Sequence, residues 1–162
     1  MKKALFVLIA SLLIGFMDAD AKRRVNLFGV PTSQERVVYK KGGICITVQM
    51  YDLTGVVAEF IITGAKLDGY DIDLDYGGYT SGDMCEGVVT LSNGDRYDAT
   101  GYTSPAKRKV RVRCSLDMAD IDNFISSPPS RIYIEGLSDS LLYDLSPAKV
   151  GAALRSCYKE VR

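Results

Sequence analysis

Apolar and polar residues alternate along much of the chain with a period of two, which is the pattern of half-buried β-strands. Residues 37–39 and 44–51 flank Gly42 and Gly43, and this arrangement predicts a hairpin with a glycine turn. A second hairpin is predicted over residues 86–102, with its turn at residues 92–95. Further strands are predicted at residues 56–63, 70–76, 109–116 and 131–137.

In the last third of the chain the apolar residues change to helical spacing in two segments. A short helix is predicted over residues 117–126, and Pro128 and Pro129 end it. Ser146 and Pro147 mark the start of a final helix. The apolar face of that helix consists of Val150, Ala153, Leu154 and Cys157. Strands followed by helix, strand and helix predict an α+β domain that is mostly β. We expect an antiparallel sandwich or a partly open barrel, with a short helix and a C-terminal helix packed on it.

The first 21 residues have the three parts of a secretory signal peptide. Lys2 and Lys3 form a basic start, residues 4–16 are uncharged and mostly apolar, and residues 19–21 form an A-x-A cleavage signal. The apolar run is shorter than the about 20 residues that span a bilayer. We therefore expect cleavage after Ala21, export to the periplasm or the medium of a bacterium, and a single mature domain over residues 22–162 without a transmembrane segment.

The composition narrows the possible functions. The formal net charge is zero, so the chain lacks the basic excess of nucleic-acid-binding proteins. It contains no histidine, which excludes Ser-His-Asp and Cys-His catalysis and the usual His-ligated zinc hydrolases. No phosphate-binding glycine loop is present. A non-enzymatic protein without a cofactor is expected, and a carboxylate-based glycan hydrolase is a weaker alternative.

Four cysteines follow the signal sequence: Cys45, Cys85, Cys114 and Cys157. An even number of cysteines in an exported chain predicts two disulfides, with three possible pairings. Zinc is the competing interpretation. It is disfavoured because the chain has neither a C-x-x-C motif nor a histidine.

Two segments carry a charged residue at every second position. The acidic segment contains Asp71, Asp73 and Asp75. The basic segment contains Lys107, Lys109, Arg111 and Arg113. On a strand, each set shares one face, and the structural interpretation is two half-exposed strands whose opposite charges pair if the strands are neighbours.

Each charged segment also has a functional interpretation. The acidic residues could bind calcium, although an EF-hand would need glycine and glutamate where the chain has Tyr76 and Gly82. The basic residues could form an anion-binding row. Tyr76 and Tyr79 flank two glycines in a loop that would display aromatic rings outward, as recognition surfaces do. The competing interpretation is that tyrosines are simply favourable in strands.

The C-terminal segment "SRIYIEGLSDSLLYDLSPAKVGAALRSC" and the early cysteine in "GGICITV" carry a resemblance. They resemble the invasion-associated locus B family of exported bacterial proteins, mainly over the last forty or so residues. The tryptophans of such proteins are absent here. The resemblance implies a β-rich domain that acts by interaction and has no catalytic residues. It also implies that the last helix folds back on the first sheet, with disulfides Cys45–Cys157 and Cys85–Cys114.

The sequence thus predicts an exported, non-enzymatic binding domain of the bacterial envelope, whose partner is an envelope or host protein. The alternative is a small-ligand binder for calcium or a glycan. It would use the acidic segment or the tyrosine loop.

Overall fold

The computed structural model describes residues 24–25, 29–34, 36–53, 55–71 and 83–162. The predicted signal peptide lies outside these ranges. So do four of the predicted site residues, namely Asp73, Asp75, Tyr76 and Tyr79.

Eleven strands within the described ranges form one antiparallel sheet. They are β1 (Arg24–Val25), β2 (Pro31–Thr32), β3 (Arg36–Lys41), β4 (Ile44–Asp52), β5 (Val56–Thr63), β6 (Tyr70–Asp71), β7 (Asp83–Leu91), β8 (Arg96–Ser104), β9 (Lys109–Leu116), β10 (Pro129–Glu135) and β11 (Ser140–Asp144). Two α-helices are described, α1 (Met118–Ser126) and α2 (Pro147–Val161).

The sheet curls into a half-barrel, which confirms the α+β class and the partly open barrel. Its strand order is β1-β2-β4-β5-β9-β8-β7-β10-β11, while β3 pairs with β4 and β6 pairs with β7. The helix α2 contacts β2, β3 and β4 near one end of this order and β10 near the other. Strands so far apart in the sheet can contact the same helix only on the concave side of the curled sheet, so α2 lies on the concave side.

The two predicted hairpins are present. Gly42 and Gly43 join β3 to β4 with φ angles of 57° and 80°. A two-residue type I′ turn requires positive φ at both positions, and glycine adopts it without steric cost. In the second hairpin, β7 and β8 are joined through residues 92–95, as predicted.

The concave face of the sheet and the two helices enclose one core. In β4, Ile46, Val48 and Met50 are buried, and the residues between them point to the opposite face. The other large buried side chains of the core include Phe60, Ile62, Leu91, Phe124, Ile132, Ile134 and Leu154. The strand alternation seen in the sequence therefore decides which side chains reach the helices and which form the second face of the sheet.

Both helices begin near the predicted positions. Asp117 caps α1: its Oδ1 accepts from the Asp120 backbone N–H at 2.8 Å, and the Asp120 carboxylate accepts from the Asp117 backbone N–H. Ser146 occupies the N-cap position of α2 and Pro147 its first turn, although the Ser146 side chain makes no capping bond. All four residues of the predicted apolar face of α2 are buried.

Candidate interaction surfaces

The face of the sheet opposite the helices contains a buried carboxylate, Glu59 of β5. The register places Glu59 directly across from Arg113 of β9. Arg113 donates from Nε to Oε1 at 2.8 Å, and Arg111 donates from Nη1 to Oε2 at 2.9 Å. One carboxylate therefore orients two guanidinium groups, and the three side chains together carry one net positive charge.

Burial differs sharply among these three residues. Glu59 is 1% exposed, whereas the side chains of Arg111 and Arg113 are 35% and 39% exposed. A guanidinium carries five N–H donors in one plane. Each arginine can therefore bind Glu59 and still donate to a partner, in an orientation that Glu59 holds.

Two tyrosines complete what we call the arginine–tyrosine cluster, which consists of Tyr51, Glu59, Tyr102, Arg111 and Arg113. The Arg113 guanidinium carbon lies 4.5 Å from the Tyr102 ring centroid and 6.0 Å from that of Tyr51, within the range of cation–π attraction. Burial, and then the charge of Glu59, raise the pKa of Tyr51 to about 12. For Arg113, burial alone would lower the pKa, but the hydrogen bond and charge of Glu59 raise it overall.

The prediction of a basic row on one strand face is confirmed for Lys109, Arg111 and Arg113, whereas Lys107 lies in the 3-10 turn that precedes β9. In the register of β9 and β5, Lys109 is opposite Thr63, Arg111 is opposite Ile61 and Arg113 is opposite Glu59. The three cations therefore occupy every second position.

In the described residues, β9 lies between β5 and β8, and Asp71, the described residue of the acidic segment, is on β6, which pairs with β7. Glu59 of β5 is the acidic partner of Arg111 and Arg113. The sequence did contain an indication of this role, because Glu59 is a single charged residue in an otherwise apolar strand. A charged side chain requires a partner when it is buried.

The calcium prediction and the tyrosine-loop prediction remain predictions. Asp71 ends β6 and is opposite Asp83 in the register, and the other residues of both predicted sites lie outside the described ranges. Within those ranges, no group of three or more His, Cys, Asp or Glu residues is placed to hold a metal ion.

Neither predicted disulfide is formed: all four cysteines are free thiols. Cys45 belongs to the β4 positions that face away from the core. Cys157 lies in α2 against the opposite face of the same strand, where its thiol donates to the Val48 carbonyl. The sheet itself therefore separates Cys45 from Cys157.

Cys85 and Cys114 share the core face, but they lie on β7 and β9 with β8 between them. Two strand spacings of about 4.8 Å each exceed the Cα separation of about 7 Å that a disulfide allows. Gly101 of β8 is the residue opposite Cys85. The second predicted pair is thus excluded by strand order.

A pair of carboxylates does occur on the second face of the sheet. Glu86 and Glu135 are directly opposite each other on β7 and β10, beside Asp98 and Tyr133, in an open groove of about 340 Å³. Both glutamates are exposed. A glycoside hydrolase needs one carboxyl group in an apolar setting to act as acid, and this pair does not have one.

A second groove lies between β3 and α2. Its volume is about 530 Å³. It is lined by Arg36, Val37, Val38, Tyr39 and Lys40 of β3 and by Ala148, Lys149, Ala152 and Ala153 of α2. No sequence pattern indicated this groove, because it arises from the placement of the last helix beside the first long strand.

Comparison with known proteins identifies no relative: no family model, no curated protein and no solved structure matches the chain. Among the helices of the described ranges, none has the length and apolar content needed to cross a membrane.

Proposed function

We propose that this protein is an exported, non-enzymatic interaction domain of the bacterial envelope that contacts another protein through the arginine–tyrosine cluster. The observation that carries the proposal is the pair of partly exposed arginines, Arg111 and Arg113, oriented by a buried carboxylate beside two tyrosines. Arginine and tyrosine are enriched at protein interfaces and supply a large share of their binding energy.

The energetic cost of the cluster supports a binding function. A buried ion pair loses much of its Coulomb energy to desolvation, and apolar residues of similar volume are often as stable or more stable. A gain in stability alone would therefore not explain the network at Glu59. Oriented arginines lose less conformational freedom when they bind, and this favours affinity.

Export is supported by the N-terminal signal sequence, and an envelope location by the C-terminal resemblance. The predicted disulfides no longer support export, since they are not formed. Cell fractionation followed by N-terminal sequencing tests this part of the proposal. We expect a periplasmic or secreted form that begins at Lys22. A cytoplasmic protein that retains residues 1–21 would exclude export.

Site-specific photo-cross-linking tests the interaction. Gln49 and Thr100 flank the cluster, since they are opposite Glu59 and Arg113 in the register. A photoreactive residue at either position, in cells of the organism that makes the protein, should capture one dominant protein partner. The Arg113→Ala change should abolish that product.

Arg131→Ala is the matched control for this experiment. Arg131 also donates to a carboxylate at 2.8 Å, but it is 53% exposed and its partner Asp144 is 74% exposed. The cross-linked product should persist in this variant. Equal loss in both variants, or no product from either position, would contradict a protein-binding cluster.

An anionic small ligand such as an acidic glycan is the second candidate. It is favoured by the positive charge of the cluster, to which Lys109 adds on the same strand face. Thermal unfolding with and without millimolar sulfate distinguishes the candidates. A rise in Tm that disappears in Arg111→Ala supports the small ligand, and an unchanged Tm leaves the protein partner as the proposal.

A further inference from the structure

We propose that the groove between β3 and α2 binds an extended, acidic segment of another protein, which adds to the edge of β3 as a further strand. This surface lies on a different part of the molecule from the arginine–tyrosine cluster. The inference therefore does not depend on the function proposed for the cluster.

The first observation is the free edge of β3. In the described residues, β3 pairs with β4 and with no other strand. At an unpaired edge, every second residue directs its N–H and C=O groups outward, and these groups form a template for another strand. Strand addition to such an edge is a common way to bind an extended peptide.

The second observation is the shape of the groove. Three of the four α2 residues that line the groove are alanines: Ala148 and Ala152 are exposed, and Ala153 is buried. Their small side chains leave a volume of about 530 Å³ open between the helix and the strand. Val37 is 60% exposed on β3 and is opposite Thr47, so it offers an apolar contact on the face of an added strand that points away from α2.

The third observation is charge. Lys40 and Lys149 are exposed on opposite sides of the groove, and Arg36 lies at the end of β3, where it also donates to Ser156. The groove lining given above includes no acidic residue. An acidic side chain on either face of the added strand would meet a cation, so we infer a segment rich in Asp and Glu.

The same cations disfavour a dimer in which the β3 strands of two copies of this chain pair with each other. Pairing two β3 edges would place Arg36, Lys40 and Lys41 of one copy against the same residues of the other. Like charges directly opposite each other destabilise a strand pair, and edge lysines commonly prevent such self-pairing.

Selection from a random dodecapeptide library displayed on phage, with the purified protein as target, tests the proposal. We expect the enriched peptides to contain more Asp and Glu than the unselected library. A fluorescent version of one such peptide should slow amide hydrogen exchange in residues 36–40 on binding. A proline substitution at its centre should weaken binding at least tenfold, because it removes a backbone donor.

Three variants locate the site by fluorescence anisotropy. Ala152→Trp fills the groove from an exposed helix position, and Lys149→Glu reverses a charge within it. Each should raise the Kd of the peptide at least tenfold. Lys159→Glu, at an exposed position in the last turn of the same helix, should leave the Kd unchanged.

Specific outcomes overturn the proposal. They are enriched peptides without an acidic excess, a Kd that Ala152→Trp does not change, and unaltered exchange in residues 36–40. A dimer in sedimentation that Ala152→Trp dissociates would identify a second copy as the occupant and would also overturn it. Because Arg111 and Arg113 lie outside this groove, none of these results depends on the cluster.

Discussion

Arg113 and Glu59 are direct cross-strand neighbours on β9 and β5, and the Arg113 guanidinium also donates to the Glu59 carboxylate at 2.8 Å. Because side chains alternate between the faces of a sheet, a one-residue slip of β9 would place Val112 on the face of Glu59 and leave that carboxylate buried without a partner. The ion pair therefore specifies the register of the central strands, whatever its net contribution to stability.

The Glu59→Gln variant should be destabilised by about 2–3 kcal/mol, because it leaves two oriented guanidinium groups without their buried anion. The free energy of unfolding from urea titration measures this. The matched control is Asp144→Asn, which breaks the exposed pair with Arg131 and should cost less than about 1 kcal/mol. If both variants lost the same free energy of unfolding, the buried ion pairs of Glu59 would contribute no more to stability than the exposed pair of Asp144.

The raised pKa of Tyr51 predicts a loss of stability at alkaline pH. Its pKa rises to about 12 in the folded protein because the ring is buried beside Glu59, compared with about 10 in an unfolded chain. The folded state thus holds this proton more tightly. The resulting stability is fully present below pH 10 and declines as the pH rises from about 10 to about 12. Urea unfolding of Tyr51→Phe between pH 9 and pH 11 should show a shallower decline than the parent protein. If the free energy of unfolding fell equally with pH in both proteins, the proposed role of Tyr51 would be contradicted.

The cysteines should be countable as four free thiols per chain. Ellman's reagent added to the denatured, unreduced protein measures this number. In the folded protein we expect Cys45 to react first, since Cys85, Cys114 and Cys157 are buried. Burial raises the pKa of Cys85 to about 11 and of Cys114 to about 12, so little thiolate is present at neutral pH. Disulfide-linked peptides in a non-reducing digest would contradict the free-thiol state.

Gly101 should not tolerate a side chain. A Cβ at this position would overlap the Sγ of Cys85, its neighbour across β7 and β8. Gly101→Ala should therefore destabilise the protein by about 1–3 kcal/mol. In a Cys85→Ala background the same change should cost much less. Additive costs in this double-mutant cycle, measured by thermal unfolding, would show that the two residues are not coupled.

The fold was more predictable from the sequence than the site. Alternation in residues 109–116 predicted both the strand β9 and the common face of Arg111 and Arg113. Alternation says which residues share a face, but not which strands become neighbours. The prediction therefore considered the acidic segment as a partner for the basic one, where the sheet instead places Glu59 of β5.

The groove and the cysteine arrangement could not be derived from local pattern. Both depend on tertiary packing: α2 settles beside β3, and β8 comes between the strands of Cys85 and Cys114. An even cysteine count says nothing about strand order. Glu59 itself was recognisable in principle, because a lone carboxylate in the run "VVAEFIIT" must be desolvated, paired or both.

The position of α2 links folding to the direction of synthesis. This helix contacts strands near both ends of the sheet and follows all of them in the chain. The inner surface of the half-barrel therefore stays uncovered until residues 147–161 have emerged from the ribosome. If the chain is threaded through a translocation channel with its N-terminus first, it cannot complete its fold before those residues have crossed. The order of its elements would thus keep the polypeptide incompletely folded during most of its translocation.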